Sequence, residues 1–261
     1  MNNKIKNYIN CDLCGSESRK VFPDYISKYP QVCVCKNCGH VYTVTPSTKK
    51  ELDFYNYSEF ASDPGANKFS NNNIDQAQFE ESYLSLKNHV MPYVYRYVDP
   101  RKKKWLEFRF RTGAILKLLL EKDAEVWGID LFEKNLNSSK IRFKNKNLFL
   151  SEVHDICSPI KENITFDVIS CLSIHLLCHL PSPKKFLKKI KKFLNPNGFL
   201  IIGEKDILHM TSIEAPHPIA DPNPIAHYQH MTIKTSRAYL EKAGFEIIFC
   251  DFISRKSALK H

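Results

Sequence analysis

Between Lys104 and Asp130 the apolar positions change period twice. Trp105 to Phe110 is a short, mostly apolar run, and Ala114 to Leu120 carries leucines at helical spacing. Val126 to Ile129 is apolar again and closes on an acid, Asp130. The pattern predicts a strand, a tight loop with Gly113 as its only glycine, a helix and a second strand. Such βαβ units bind nucleotides because loop amides and a helix N-terminus face the ligand, while the acid grips ribose hydroxyls.

The same reading extends in both directions. Upstream, Phe79, Tyr83, Leu86, Val90, Tyr93 and Val94 fall along one side of a helix expected from about Asp75 to Val98. Pro92 should kink or split it, and it should end before Asp99-Pro100. Tyr83 and Tyr93 are read as core. Thr43 to Ile74 is polar, with a short helix expected near Lys49 to Tyr55 and a loop after it. Downstream the chain predicts a helix at Glu133–Arg142, a strand near Asn147–Ser151 and a buried-type strand at Phe166–Leu172. A lysine-rich helix follows, then a strand at Phe199–Gly203, a Pro- and His-rich stretch, a helix at Lys234–Ala243 and a strand within AGFEIIFCDF. Strands alternating with helices in this way predict an α/β fold.

Length and composition narrow the class. The chain's 261 residues hold one α/β domain plus a small appendage, and 43% hydrophobic residues is ordinary for a folded protein. No run approaches about eighteen apolar residues, so no membrane span is expected. MNNKIKNYIN has no apolar signal core, which makes the cytoplasm the expected compartment. The net charge of +10 suggests an anionic partner: nucleic acid, a nucleotide-linked substrate or a phosphorylated headgroup. Much of the excess lies in KKFLKKIKKFL, where the lysines read first as the solvated face of a helix.

Nine cysteines without a signal peptide argue for metal or free thiols rather than disulfides. Residues 11–15 read CDLCG and residues 35–39 read CKNCG. Two such knuckles, about twenty residues apart, have the form of a zinc ribbon with Cys11, Cys14, Cys35 and Cys38 as ligands. Each CxxC puts two thiolates on one turn, and the glycine lets backbone amides face sulfur. The resulting closed Zn2+ site is structural and staples a module too small to hold a core alone. Cys33 reads as a strand residue, or as a replacement ligand in another register, and His40 as a partly exposed strand residue. The expected division is a zinc ribbon at 1–45, a linker and covering helix at 46–100, and a Rossmann-like domain at 101–261.

KWLEFRFRTG resembles motif I of class I methyltransferases that use S-adenosylmethionine (SAM), typically LE-aliphatic-GxGxG followed by a helix and a strand ending in Asp. Leu106, Glu107, Thr112, Gly113 and Asp130 match, whereas Arg109 and Arg111 replace the first two glycines. FDVI at Phe166, then HLPSP, a helix, an Asn-Gly-type turn and the fifth strand, continue the resemblance in order. It implies a Rossmann-like sheet with helices on both faces. It also implies a SAM site built from Glu107, Arg109, Arg111, Gly113 and Asp130, with Asp155 and Ile156 at the adenine. The chain departs where an acid often precedes His179, a place held here by Cys178, and in a short C-terminus that leaves a sheet edge exposed. Zinc-ribbon methyltransferases of this kind are associated with sugar and surface-polysaccharide biosynthesis.

The two arginines divide the functional reading. A guanidinium beside a sulfonium repels it by about 4 kcal/mol at 4 Å with an effective dielectric near 20, unless it points outward or pairs with Glu107 and the cofactor carboxylate. One reading is a SAM methyltransferase acting on a nucleotide-linked sugar or similar small anion. Its base would be one of His179, His175, His227 and His230, each able to take a proton near neutral pH. A second is a decayed methyltransferase fold that binds an anion through Arg109 and Arg111. A third is an RNA base methyltransferase, although the N-terminal module lacks the basic-aromatic interleaving of single-stranded RNA binders.

Overall fold

From Lys104 onward strand and helix alternate as the apolar periods require. The computed structural model describes residues 8–22, 31–44, 76–152, 155–173, 175–208 and 227–251. The helix expected near Lys49, the loop after it, His154, most of the Pro- and His-rich stretch and Phe252 lie outside the described residues. In chain order come β1 (Arg19–Val21), β2 (Val32–Cys35), β3 (Val41–Thr43), α1 (Gln76–His89), α2 (Met91–Val94), β4 (Lys104–Phe108), α3 (Ala114–Leu120) and β5 (Glu125–Asp130). Then follow α4 (Glu133–Phe143), β6 (Leu148–Leu150), β7 (Phe166–Cys171), a 3-10 turn (Leu177–His179), α5 (Pro183–Lys191), β8 (Leu194–Ile202), β9 (Gln229–His230) and α6 (Ile233–Lys242). They sort into two compact units. One falls within Met1–Asp63, Leu177–Lys188 and Glu204–Ile248, the other within Pro64–Leu176, Lys189–Gly203 and Phe249–His261.

The second unit is built on a five-stranded parallel sheet in the order β6-β5-β4-β7-β8. β4 and β7 at its centre are buried along nearly their whole length, as parallel strands covered on both faces must be. Trp105, Phe110, Leu116, Leu119, Val126 and Val168 form its core with Phe79, Tyr83 and Leu86 of α1. The upstream helix splits at Val90, with Pro92 in the first turn of α2, where a missing N–H costs nothing. Tyr83 is core as expected, its hydroxyl donating to Glu121 at 2.7 Å.

Two expectations fail in this unit. The Asn-Gly turn is absorbed into β8, which begins at Leu194; a register shift between Phe166 and Val168 accommodates the extra residues, with Asn197 left-handed at φ 61°. Residues 249–251, the described end of the strand expected in AGFEIIFCDF, form none; Phe249 packs on the rings of Tyr93 and Tyr97, at 6.1 and 5.5 Å.

β5, between β4 and β6, leaves almost no space beside Gly128. A Cβ there would stand 2.7 Å from Phe110 Cδ1 and 2.8 Å from Leu148 Cδ2. Gly128→Ala is therefore expected to cost about 1–3 kcal/mol by overpacking, read as a lowered urea midpoint with unchanged slope.

The first unit holds an antiparallel sheet in the order β1-β2-β3-β9. The three N-terminal strands thus complete their sheet with a strand nearly two hundred residues away, Val41 pairing with His230. Asp12, inside the first knuckle, accepts from Ser182 Oγ and from the Lys184 amide at 3.1 Å, placing an anion at the first turn of α5. Phe186, Leu187 and Ile190 of α5 are buried while Lys185, Lys188 and Lys189 are exposed, the solvated lysine face that was expected.

Cys33 is a buried strand residue of β2. His40 departs from expectation: it precedes β3 and is fully buried, with Nε2 2.8 Å from Gln229 Oε1 and 3.3 Å from the Tyr239 hydroxyl. Pairing with β9 covers it, and burial pushes its pKa down to about 4. Among the described residues no helix is long and apolar enough to cross a membrane.

Candidate functional site

In an open parallel sheet ligands bind beyond the C-terminal strand ends, where the strand order reverses. Here that point lies between β4 and β7, and the loop leaving β4 is Arg109–Gly113. Arg109, Arg111 and Gly113 have φ of 57°, 49° and 81°. All three are left-handed, the region that glycine enters without steric cost. The conformation costs about 1–2 kcal/mol for each non-glycine residue. It is held by the Arg109 amide donating to Ile129 O at 2.6 Å and the Arg111 amide donating to Asp130 Oδ2 at 2.9 Å. Gly113 is glycine for a second reason: a Cβ would meet Phe143 and Ser139 side chains at 2.8 Å.

The two acids beside the loop have different duties. Glu107 is fully buried, and its carboxylate accepts from Ser170 Oγ, from the Leu172 amide at 2.8 Å and from the Ser173 amide at 3.1 Å. Ser170 Oγ in turn accepts from Trp105 Nε1 at 2.6 Å, so the network bolts β4 to β7. Burial pushes the Glu107 pKa up to about 7 against the pull of those donors. Asp130 is 1% exposed and accepts from Arg111 N, from Phe132 N at 3.0 Å and from Asn135 Nδ2 at 2.9 Å. It closes the loop against β5 and keeps about one acceptor position of Oδ2 unused by these bonds.

Arg109 spans the reversal point. Its side chain is nearly buried, 5% exposed, and Nη1 donates to the His175 carbonyl at 3.3 Å, just past β7. The contact is to the His175 backbone, so it fixes the chain just past β7 and not the imidazole. Asp155 is exposed and pairs with Lys189 Nζ at 2.7 Å, while the neighbouring Ile156 is buried. The residues present fit SAM along the backbone of the loop, which keeps its left-handed course, and at Asp130. They depart from the motif at the side chain of Arg109, which brings a cation into the crevice.

In the other unit the four knuckle cysteines converge. Their sulfurs all lie within 4.8 Å of one another, with Cys11 to Cys38 at 3.6 Å and Cys14 to Cys35 at 3.5 Å. A tetrahedral ion with Zn–S of about 2.3 Å requires sulfurs about 3.8 Å apart, so this donor set fits zinc. The two knuckles repeat one geometry, Gly15 N to Cys11 O at 2.7 Å and Gly39 N to Cys35 O at 2.9 Å.

Three of the histidines named from the sequence belong to this unit. His230 is buried in β9 with Nε2 3.4 Å from Thr43 Oγ1, in the interior of the sheet. The rings of His179 and His227 meet edge to face, 4.6 Å between centroids. Cys178, read from the sequence only as a departure before His179, lies with them, its sulfur within 4.8 Å of their ring nitrogens.

Residues 77–248 match a family described as a methyltransferase domain. The chain is 29% identical over 101 residues to a ubiquinone biosynthesis O-methyltransferase of Idiomarina loihiensis, covering 37% of this chain and 40% of that one. It is 26% identical over 122 residues to the protein of the same name from Coxiella burnetii, covering 46% and 51%. It therefore spans about half the length of these curated relatives or less. By structure it is similar to a chain in the complex between the Haloferax volcanii Trm112 methyltransferase activator and a candidate methyltransferase. The TM-score is 0.55 at 13% identity, over 80% of this chain and 81% of that one. That likeness concerns the fold alone. A parallel sheet in this strand order, an acid at the tip of β5, a left-handed loop after β4 and a family match across most of the chain agree: the protein belongs to the methyltransferase-domain family.

Proposed function

We propose that the chain is a SAM-dependent methyltransferase acting on a small anionic acceptor, a nucleotide-linked sugar or a related metabolite. The observation that carries the reading is the left-handed course of Arg109, Arg111 and Gly113 at the reversal point of the sheet. Strained backbone of this kind persists where the side chains are in use, since glycine would relieve it. The balance of charge depends on distance. A guanidinium in contact with the cofactor carboxylate gains about 4 kcal/mol, while a sulfonium twice as far away repels it by about 2 kcal/mol. Attraction wins if Arg109 or Arg111 faces the carboxylate end.

In this assignment the loop backbone, Arg109 and Arg111 hold the amino-acid end, Asp130 the ribose, and Asp155 with Ile156 the adenine. SAM supplies the electrophilic methyl group when bound. In this reading His175, whose backbone follows β7 beside Arg109, takes the acceptor's proton, and positioning does the remaining work. Zinc in the four-cysteine site is structural. The net charge of +10 supports an anionic acceptor.

A catalytically decayed binding protein is the second reading, favoured by the hydrogen bond of Arg109 across the crevice to His175. Incubation of zinc-loaded protein with SAM and a panel of nucleotide-linked sugars separates the two. The expected result is release of S-adenosylhomocysteine with one acceptor class, slowed about 10²–10⁴-fold by His175→Ala. SAM binding without turnover on any acceptor in the panel would favour the decayed form.

A further inference from the structure

We propose that Cys178, His179 and His227 form a second metal site, for zinc or a similarly soft divalent ion. The ligand atoms of the three side chains all lie within 4.8 Å of one another. Ideal separations follow from bond lengths of about 2.0–2.1 Å to imidazole nitrogen and about 2.3 Å to sulfur: roughly 3.4 Å between nitrogens and 3.6 Å from nitrogen to sulfur. The imidazoles already stand edge to face, at 66° between ring planes, so both can aim a nitrogen at a common centre without stacking.

The backbone around each ligand is fixed from several directions. Cys178 and His179 sit in the 3-10 turn, whose Leu177 amide donates to Glu204 Oε1 at 2.5 Å. The Cys178 carbonyl accepts from the Tyr228 amide at 2.8 Å, which ties the turn directly to the residue after His227. The His227 carbonyl accepts from Thr43 Oγ1 at 2.7 Å, and Gln229 Nε2 donates to Pro181 O at 3.2 Å. Two segments almost fifty residues apart are thereby clamped with their donor side chains facing each other. A site so prepared loses little conformational entropy on binding.

The donor set decides the ion. Two imidazoles and a thiolate suit zinc and its softer neighbours, whereas magnesium and calcium take oxygen. Cys178 is buried and outside any disulfide, and the two histidines are half-buried, an arrangement that shields a bound ion from exchange. This site stands on geometry within one unit and does not depend on the methyl-transfer reading.

The test is metal content and ligation of the full chain. Protein loaded with zinc and cleared of loosely bound metal is expected to hold two ions, falling to one in His227→Ala and in His179→Ala, with the remaining ion lost in Cys38→Ser. X-ray absorption at the zinc edge of the wild type needs no variant: nitrogen scatterers beside sulfur are expected in the first shell. One ion per wild-type chain with a sulfur-only shell would overturn the proposal. So would two ions whose number is unchanged in well-folded His179→Ala and His227→Ala proteins, because a bare thiol–imidazole cluster, packed or nucleophilic, would need neither histidine for metal.

Discussion

Cys35→Ser is expected to unravel β1, β2 and β3 while leaving the parallel sheet folded. Cys35 is buried at the end of β2 and is one of four sulfurs arranged for a single ion. β1 and β3 have three residues each and β2 has four, so strand pairing alone gives little stability. The binding energy of a structural zinc, about 10–16 kcal/mol in zinc-finger peptides, is folding energy for such a module. Losing one thiolate opens the site and is expected to cost more than about 4 kcal/mol. Amide hydrogen exchange reads it directly: protection of Val34, Tyr42 and Thr43 should vanish, while that of Leu106 and Ile169 persists. Unchanged protection in metal-free wild type would show that the strands hold without the ion.

Glu107 gives the second large effect, and its sign is set by pH. The folded protein keeps the Glu107 proton up to about pH 7, whereas an unperturbed glutamate releases it near 4.5. Between those values the folded state binds more protons than the unfolded chain, so stability is full below about pH 4.5 and falls as pH rises towards 7. At 1.36 kcal/mol per unit the contribution lost is about 3 kcal/mol. Glu107→Gln removes the titration and should flatten that part of the pH profile in urea unfolding. Glu107→Ala goes further, leaving Ser170 Oγ and two amides without their acceptor in a dry interior. It is expected to cost at least about 3 kcal/mol at acid pH, and less as pH rises towards 7. A wild-type profile as steep after Glu107→Gln as before would assign the proton to another group.

Much of this architecture was legible because it is local. The helix at Ala114–Leu120, the acid at the tip of β5 and the break at Pro92 follow from apolar period and proline chemistry within a few residues. The four knuckle cysteines were equally plain, since CxxCG fixes a turn by itself. What could not be read is non-local. His40 is buried because Gln229 and Tyr239 close over it, contacts 189 and 199 residues apart in sequence. The arginines illustrate the limit most clearly. Their identity argued against a glycine loop, yet bonds to Ile129 and Asp130 on the neighbouring strand hold them in the glycine conformation. Periodicity also placed a strand in AGFEIIFCDF, where residues 249–251 form none and Phe249 packs on aromatic rings.

The central claim is that this loop still receives SAM, and calorimetric titration of the zinc-loaded protein with SAM and S-adenosylhomocysteine tests it most directly. Micromolar binding of either, weakened at least tenfold by Asp130→Ala in a folded variant, is the predicted result. No binding of either at millimolar concentration, restored by Arg109→Gly together with Arg111→Gly, would contradict the claim and show a crevice closed by its own arginines.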